Sequence, residues 1–430
     1  MGSRMWLGAG LVTLGLVLPA TASATTWQVT NTGDSAFTCP SVSSCTLRGA
    51  IAQADVAGGG DVVQVPAGHY TVSVNPINVT AGMQIVGTAG PAATTVEQLS
   101  TTVGIFAISS GAVTVSGLTL TGHEPNGGAI ASQASALTLS DDVFTGNGPG
   151  AAGTQGRGGA VGVTGTAPTT LTVTNSTFSS NRAGTDGGSG SQSGFGTGGA
   201  ISFATPGALS ITDSTFTGNK AGGAGSSGSG SGSGAGGAIY IDWEGATGSV
   251  DVSIARSVFG ANSAGGSGSN GPESGNGAGG ALAMTAGPGG GSLSVTDSTF
   301  SGNTAGGSGG SNFAAGTGEG GAIAAFAADP GDQLTANVTR STFTGNHAGG
   351  DGGSDLETAE GLGGAIDYGS SGPSAMAVVD STFDGNRAGG VAGTGVDSGQ
   401  GNGGSIGTVS SAVLALTNDT LAGGNAGGAD

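Results

Sequence analysis

The sequence predicts an all-β chain wound as a right-handed parallel β-helix, and three observations predict it. The first is a pair of alternating tetrads running from residue 127 to the C-terminus. Gly-Gly-Ala followed by an aliphatic closes on Ile130, Val161, Ile201, Ile239, Leu282, Ile323 and Ile366, and with Ser405 in place of Ala on Ile406. Phe-x-x-Asn joins Phe144 to Asn147, Phe178 to Asn181, Phe216 to Asn219, Phe259 to Asn262, Phe300 to Asn303, Phe343 to Asn346 and Phe383 to Asn386, with a decayed copy at Leu421. Such self-similarity is the signature of a solenoid. The second observation is length. From Phe178 to Ile201, Phe216 to Ile239, Phe259 to Leu282, Phe300 to Ile323, Phe343 to Ile366 and Phe383 to Ile406 the separation is 23 residues each time. The letters between drift widely, so a free linker would have drifted in length too. The third is parity. The last inward aliphatic of each strand, at 139, 173, 211, 254, 295, 338, 378 and 416, lies five residues before the Phe position. Strand side chains alternate with a period of two, so both can point inward only if the chain turns a corner between them.

The corner residue is Asp141, Asn175, Asp213, Asp297, Asp380 or Asn418 in six copies, types that tolerate the left-handed conformation. Gly117 holds the same point in an older-looking stretch. Arg256 and Arg340 stand there in two copies, which implies that a positive φ is not required. From each tetrad aliphatic to the next Phe the gap varies from 14 to 20 residues, with Pro/Gly inserts at 288–291 and 329–332 that mark surface loops. A fixed and a variable segment predict two coils per repeat. That gives about 20 coils from Asp61 onward and a rod of ~95 Å at ~4.8 Å per coil. Each Phe should fill the interior, and each Asn should form an amide ladder or bond neighbouring backbone. The Gly-Gly pair should permit a close backbone approach.

In chain order, residues 1–24 read as a secretory signal: Arg4, an apolar run over 5–18, then Ala22-Ser23-Ala24 for cleavage. That run is short for a membrane span, so the mature chain is expected to be exported and not membrane-spanning. Residues 25–60 form an N-terminal cap. Cys39 and Cys45 are the only cysteines, and a local disulfide is expected in an exported chain. Leu47, Ile51 and Ala54 recur at helical spacing, and a short helix there would cover the open end of the first coil. Residues 61–430 form the β-helix, with the tetrad repeats over 127–430.

Residues 27–72, with Cys45-Thr-Leu-Arg-Gly-Ala-Ile51 and a Pro-Ala-Gly-His-Tyr turn, resemble the CSLREA-type N-terminal domain of bacterial secreted β-helix proteins. Thr46 stands for the family's Ser and Gly49 for its Glu, which removes the acid that would pair with Arg48. The Gly-Gly-Ala-Ile and Phe-x-x-Asn tetrads are similar to the repeats of polymorphic outer-membrane proteins, which are surface adhesins. The two resemblances imply a pectin-lyase-like solenoid exported to the cell surface, associated with the outer membrane or released.

Gly accounts for 96 of 430 residues and charged residues for 8%, and the net charge is −19. Nucleic acid and acidic polysaccharide are disfavoured as partners, because phosphate or uronate binding wants a basic groove. A pectate-lyase activity is disfavoured on the same ground. Asp141-Asp142 is similar to the paired carboxylates of β-helix polygalacturonases, but the accompanying Gly-His-Gly and Arg-x-Lys motifs are absent. Glu124, Asp242, Glu244, Asp367 and the acids of 355–360 could set two carboxylates a coil apart, ~5 Å, a glycosidase-like separation. The stretch 349–355 is similar to calcium-binding nonapeptide repeats, although its Asp recurs irregularly; no other cofactor is indicated. His69, His123 and His347 are isolated. The expected function is therefore an exported structural or adhesin-like binding protein without catalysis, its partner a surface glycan or protein. The alternative is a carbohydrate-active lyase or hydrolase on the same scaffold, and a third reading is a fragment of a larger surface protein. The stretch after Leu421 has no covering element of its own, so this edge could pair end to end with another chain or fray.

Overall fold

The computed structural model describes residues 24–35, 39, 45–73, 75–100, 103–123, 128–187, 193–225, 230–243, 248–268, 274–309, 315–327, 329, 331–352, 359–370, 374–390, 399–410 and 412–427. Residues 1–23 of the expected signal, Glu124, residue 127, Glu244 and positions 355–358 of the acidic stretch lie outside these.

The chain is a right-handed parallel β-helix. Among the described residues every ladder between strands is parallel, and the strands form sheets of 13, 11, 10, 7 and 5 members, called sheets one to five below. A coil starts in sheet three, for example at Ile201–Ala204. It crosses to sheet one at Gly207–Thr212, turns the corner into sheet two at Thr215–Thr217, and then makes a glycine-rich excursion. The excursion returns through sheet four at Gly234–Ala235 and enters the next coil at Ile239–Trp243.

One repeat is one coil, not two. Phe144 pairs in register with Phe178, and Phe178 with Phe216. Sheet two therefore counts the coils from Asp61 onward: 11 strands, or a rod of about 50 Å at ~4.8 Å per strand. The expected 20 coils and ~95 Å are corrected accordingly. The fixed 23-residue segment does not circle the core. It leaves the core and comes back, its limbs held by Gly194 N–H to Thr185 O and by Gly232 N–H to Gly223 O, both 2.9 Å. Successive excursions are bonded as well, through Gly223 N–H to Gly194 O at 3.0 Å and Gly266 N–H to Gly232 O at 2.9 Å. An extra residue in any one excursion would throw its rungs out of step with both neighbours, which accounts for constant length despite drifting letters. Glycine is required because backbone meets backbone: a Cβ on Gly232 would lie 2.1 Å from Gly194 O. Gly232→Ala is expected to cost roughly 1–3 kcal/mol by overpacking, read as a lower midpoint in thermal unfolding; an unchanged midpoint would remove this account of the glycine.

The corner is left-handed in every copy, with φ of 58° at Asp141, 47° at Asn175 and 69° at Gly117. Arg256 at 48° and Arg340 at 47° obey the same demand, so the inference that they relax it is corrected. Each of these arginines makes a two-pronged bond to the corner aspartate one coil earlier, Arg256 to Asp213 and Arg340 to Asp297, at 2.7 and 2.9 Å.

Inside, the seven Phe rings form one stack with centroids 4.6–4.9 Å apart and planes within 2–6°. Beside it runs the asparagine ladder. Asn219 Nδ2 donates to Asn262 Oδ1 at 2.9 Å and to Phe178 O at 3.0 Å, while Asn219 N–H donates to the same Oδ1 at 3.0 Å. The pattern repeats from Asn147 to Asn346, so each amide uses its full donor capacity. A serine ladder accompanies it: the N–H of Ser176 donates to Ser214 Oγ at 3.2 Å, and the series continues through Ser257, Ser298, Ser341 and Ser381. These serines directly follow the corner residue, a repeat visible in the sequence and not read from it.

The cap helix forms over Leu47–Ala57, with Thr46 Oγ1 accepting from Gly49 N–H at 3.1 Å and Gly58 closing it at φ 97°. Its Leu47, Ala50, Ile51 and Ala54 are buried, and Cys39 and Cys45 are bonded. Asp34 supplies the acid that position 49 lacks: Arg48 donates to both its oxygens, at 2.6 and 3.0 Å, and to the carbonyls of Asn75 and Pro76. In the last described coil Val413 is 64%, Leu416 46% and Leu421 49% exposed. Amide exchange is expected to be slow from 128 to 383 and to quicken after Ile406; slow exchange through Leu421 in a proven monomer would overturn that gradient.

Candidate functional site

The repeated Phe and Asn side chains are sealed inside the coil, none more than 1% exposed. They hold the rod together and are out of reach of any ligand. Asp141 and Asp142 are separated by the corner they share. Asp141 is exposed and accepts from Asn175 Nδ2 at 2.6 Å. Asp142 is buried at the foot of the serine ladder, where its Oδ1 accepts from Leu118 N–H at 2.9 Å and its Oδ2 has no partner. They are not a surface carboxylate pair.

Most of the cations staple coils. Arg182 bonds Asp186 at 2.5 Å, and Lys220 of the next coil stands 3.9 Å from the same carboxylate. Asp351, in the glycine-rich stretch likened to calcium repeats, pairs with Arg387, whose guanidinium also lies 2.9 Å from His347 Nε2. Burial, and then the Arg387 charge, hold that imidazole below its ordinary range. His69 pairs with Glu97 at 2.8 Å. Among the described lysines and arginines Arg157 is the one without an acidic partner.

The accessible chemistry lies on the outer face of sheet three. Its first coils carry a groove of about 480 Å³. Strand alternation turns Asn78, Ala107, Ala131 and Gly162 outward to make a narrow floor, with Thr80, Ser109, Gln133 and Thr164 at the rim. A second depression of about 450 Å³ shares Ser109 and Gln133, so the two run together toward the turn into sheet one. No lining residue of either is charged. The amides of Asn78 and Gln133 and the Thr164 hydroxyl make no hydrogen bond within the described residues. Further along the same face the outward positions hold Tyr240, Asp242, Phe326 and Asp367.

Of these, Asp242 and Asp367 belong to the acids singled out in the sequence. They are three strands apart in sheet three, too far to act on one bond. Asp367 has a different neighbour, Glu319 of sheet four. Burial first, and then the Glu319 charge, push Asp367 up to about 7. The groove residues and Glu319 were missed because they occur once. Their only signal is position: they follow the tetrad aliphatic at odd offsets, or sit just before the Gly-Gly pair.

The fold and this face define a parallel β-helix with an uncharged groove on one outer sheet. No family model matches the chain, and no curated protein matches it. A similar solved structure is the catalytic unit of a thermostable GH87 α-1,3-glucanase from Streptomyces thermodiastaticus strain HF3-3. It is 13% identical with a TM-score of 0.35, and the match covers 89% of this chain and 66% of that one. At that score the likeness bears on neither site nor substrate.

Proposed function

We propose that the protein is an exported, surface-displayed binding rod that holds a neutral glycan along the outer face of sheet three, without cleaving it. The observation that carries this reading is the uncharged groove lined by Asn78, Ser109, Gln133 and Thr164. The unbonded amides of Asn78 and Gln133 and the Thr164 hydroxyl offer both donors and acceptors, which is what sugar hydroxyls require. Its lining has no acid to protonate a glycosidic oxygen. Tyr240 and Phe326 continue the same face, two and four strands beyond the groove's last strand, or roughly 10 and 19 Å at ~4.8 Å per strand, and offer apolar surfaces for sugar rings. A net charge of −19 opposes polyanions and leaves neutral chains as the matching class. The secretory signal, the CSLREA-like cap and the polymorphic-repeat tetrads support export and surface placement. The test is a panel of neutral and uronate-containing oligosaccharides, scored for binding and for product release. Binding of a neutral member, weakened at least about tenfold by Gln133→Ala, is expected. Release of reducing-end or unsaturated products would favour the carbohydrate-active reading, and preference for uronates would overturn this one.

A further inference from the structure

The outer face of sheet two carries an array that the coil itself does not require. Each strand of that sheet turns its central side chain inward, so the residues on either side of it point outward. From Thr95 to Thr420 the residue before the inward position is threonine in every coil except at Val143 and Val258, which keep the β-branched shape. The residue after it is threonine or serine from Thr121 to Thr344, apart from Gly260. Strand propensity favours threonine and valine, but it does not account for this column. An outward column of sheet one, under the same propensity, passes through Ala208, Asp251, Ser292 and Ala375. Something other than strand formation holds the column of sheet two to one shape.

The array is regular in both directions. From coil to coil it follows the ring stack beneath it, 4.6–4.9 Å per step with ring planes within 2–6°, so the rod rises evenly and does not bend. Along each strand the two columns stand about 6.7 Å apart, two residues of extended chain. Branching at Cβ stiffens each side chain, so hydroxyls and methyls repeat with the backbone. The hydroxyls of Thr177, Thr215, Thr299, Thr342 and Thr382 have no partner among the described residues. No charged side chain interrupts the two columns between Thr119 and Thr344. A rigid, uncharged lattice of this kind gives little hold to a flexible or ionic ligand. It matches a solid of the same repeat. Prism faces of hexagonal ice space their oxygens close to both distances, and free hydroxyls set between methyls can bond water held in that order.

We infer that the outer face of sheet two is an ice-binding surface, its ligand water ordered as on a prism plane. This face is separate from the groove of sheet three, and the inference is independent of glycan binding. The full chain is cooled with a seed crystal, and two quantities are measured: the gap between melting and growth temperatures, and the share of protein taken up by slowly growing ice. The wild type should open a gap and be enriched in the ice. The double variant Thr215→Tyr, Thr299→Tyr, whose outward rings break the plane without entering the core, should lose both while its thermal unfolding stays that of the wild type. Thr215→Val should keep both, since Val143 and Val258 already fit the array. Ala375→Tyr, an equally large change on the outer face of sheet one, should leave both intact. A wild type with neither gap nor enrichment would overturn the proposal. So would a double variant that enters ice as before, or one that loses oligosaccharide binding instead.

Discussion

Phe300→Ala is expected to cost about 3–5 kcal/mol, the range for removing a fully buried aromatic. The ring lies 4.7 Å from Phe259 and 4.9 Å from Phe343, both stacked on it, and it is wholly buried. Truncation opens a gap between two rings that are pinned by their own coils. Each coil is fixed in register by three long sheets and the asparagine ladder, so neighbouring coils cannot close the gap by sliding together. The lost contacts therefore stay lost. Phe300→Leu should recover much of the difference by refilling the volume. A solenoid couples mainly nearest neighbours, so the damage should appear as faster amide exchange over the coils around Phe259, Phe300 and Phe343 before it appears at the cap helix. A variant with unchanged unfolding, or with exchange quickened uniformly from end to end, would show that the stack does not carry this part of the rod.

What could be read from the sequence is what recurs once per coil. The Phe stack, the Asn ladder, the left-handed corner and the inward aliphatics each leave seven or more copies, and a repeated constraint stands out against drifting letters. The coil number was misjudged for a physical reason. A fixed length signals stacking in register, and a stacked excursion shows it as faithfully as a closed turn; only the glycine-to-glycine rungs between Gly194, Gly223 and Gly232 tell the two apart. Arg256 and Arg340 were misread because residue type was taken as the measure of φ, whereas the aspartate one coil earlier holds each in place. The groove is the opposite case. Asn78, Gln133 and Thr164 occupy outward positions where no packing rule acts, so they vary freely and carry no periodic signal. Binding chemistry on a solenoid is written in the residues that do not repeat.

The serine ladder has one irregular rung, and it makes the second large effect. Where every later coil through Ser381 places a serine, the coil at its foot places Asp142, 1% exposed. Burial dominates its environment and pushes its carboxyl up to about 8 from an ordinary 3.8, against the opposing bond from Leu118 N–H. The folded chain therefore keeps this proton to about pH 8, while the unfolded chain releases it near pH 4. Over that window the unfolded state binds fewer protons, so stability is fully present below about pH 4 and is lost as pH rises toward 8. At ~1.4 kcal/mol per unit the loss has an upper bound of several kcal/mol. Asp142→Ser should restore the rung, its Oγ accepting from Leu118 N–H and donating to the carbonyl of Ser140 as the other serines do two residues back. The variant is expected to be about 2–4 kcal/mol more stable than the wild type at pH 7 and close to it at pH 4. Urea unfolding of both proteins at half-unit steps from pH 4 to 8 measures this. The comparison cancels Asp367, Glu319 and the ion-paired aspartates, which both chains share. Parallel stability curves for the two proteins would mean that Asp142 is ionised inside the rod and neutralised by a partner on its free oxygen.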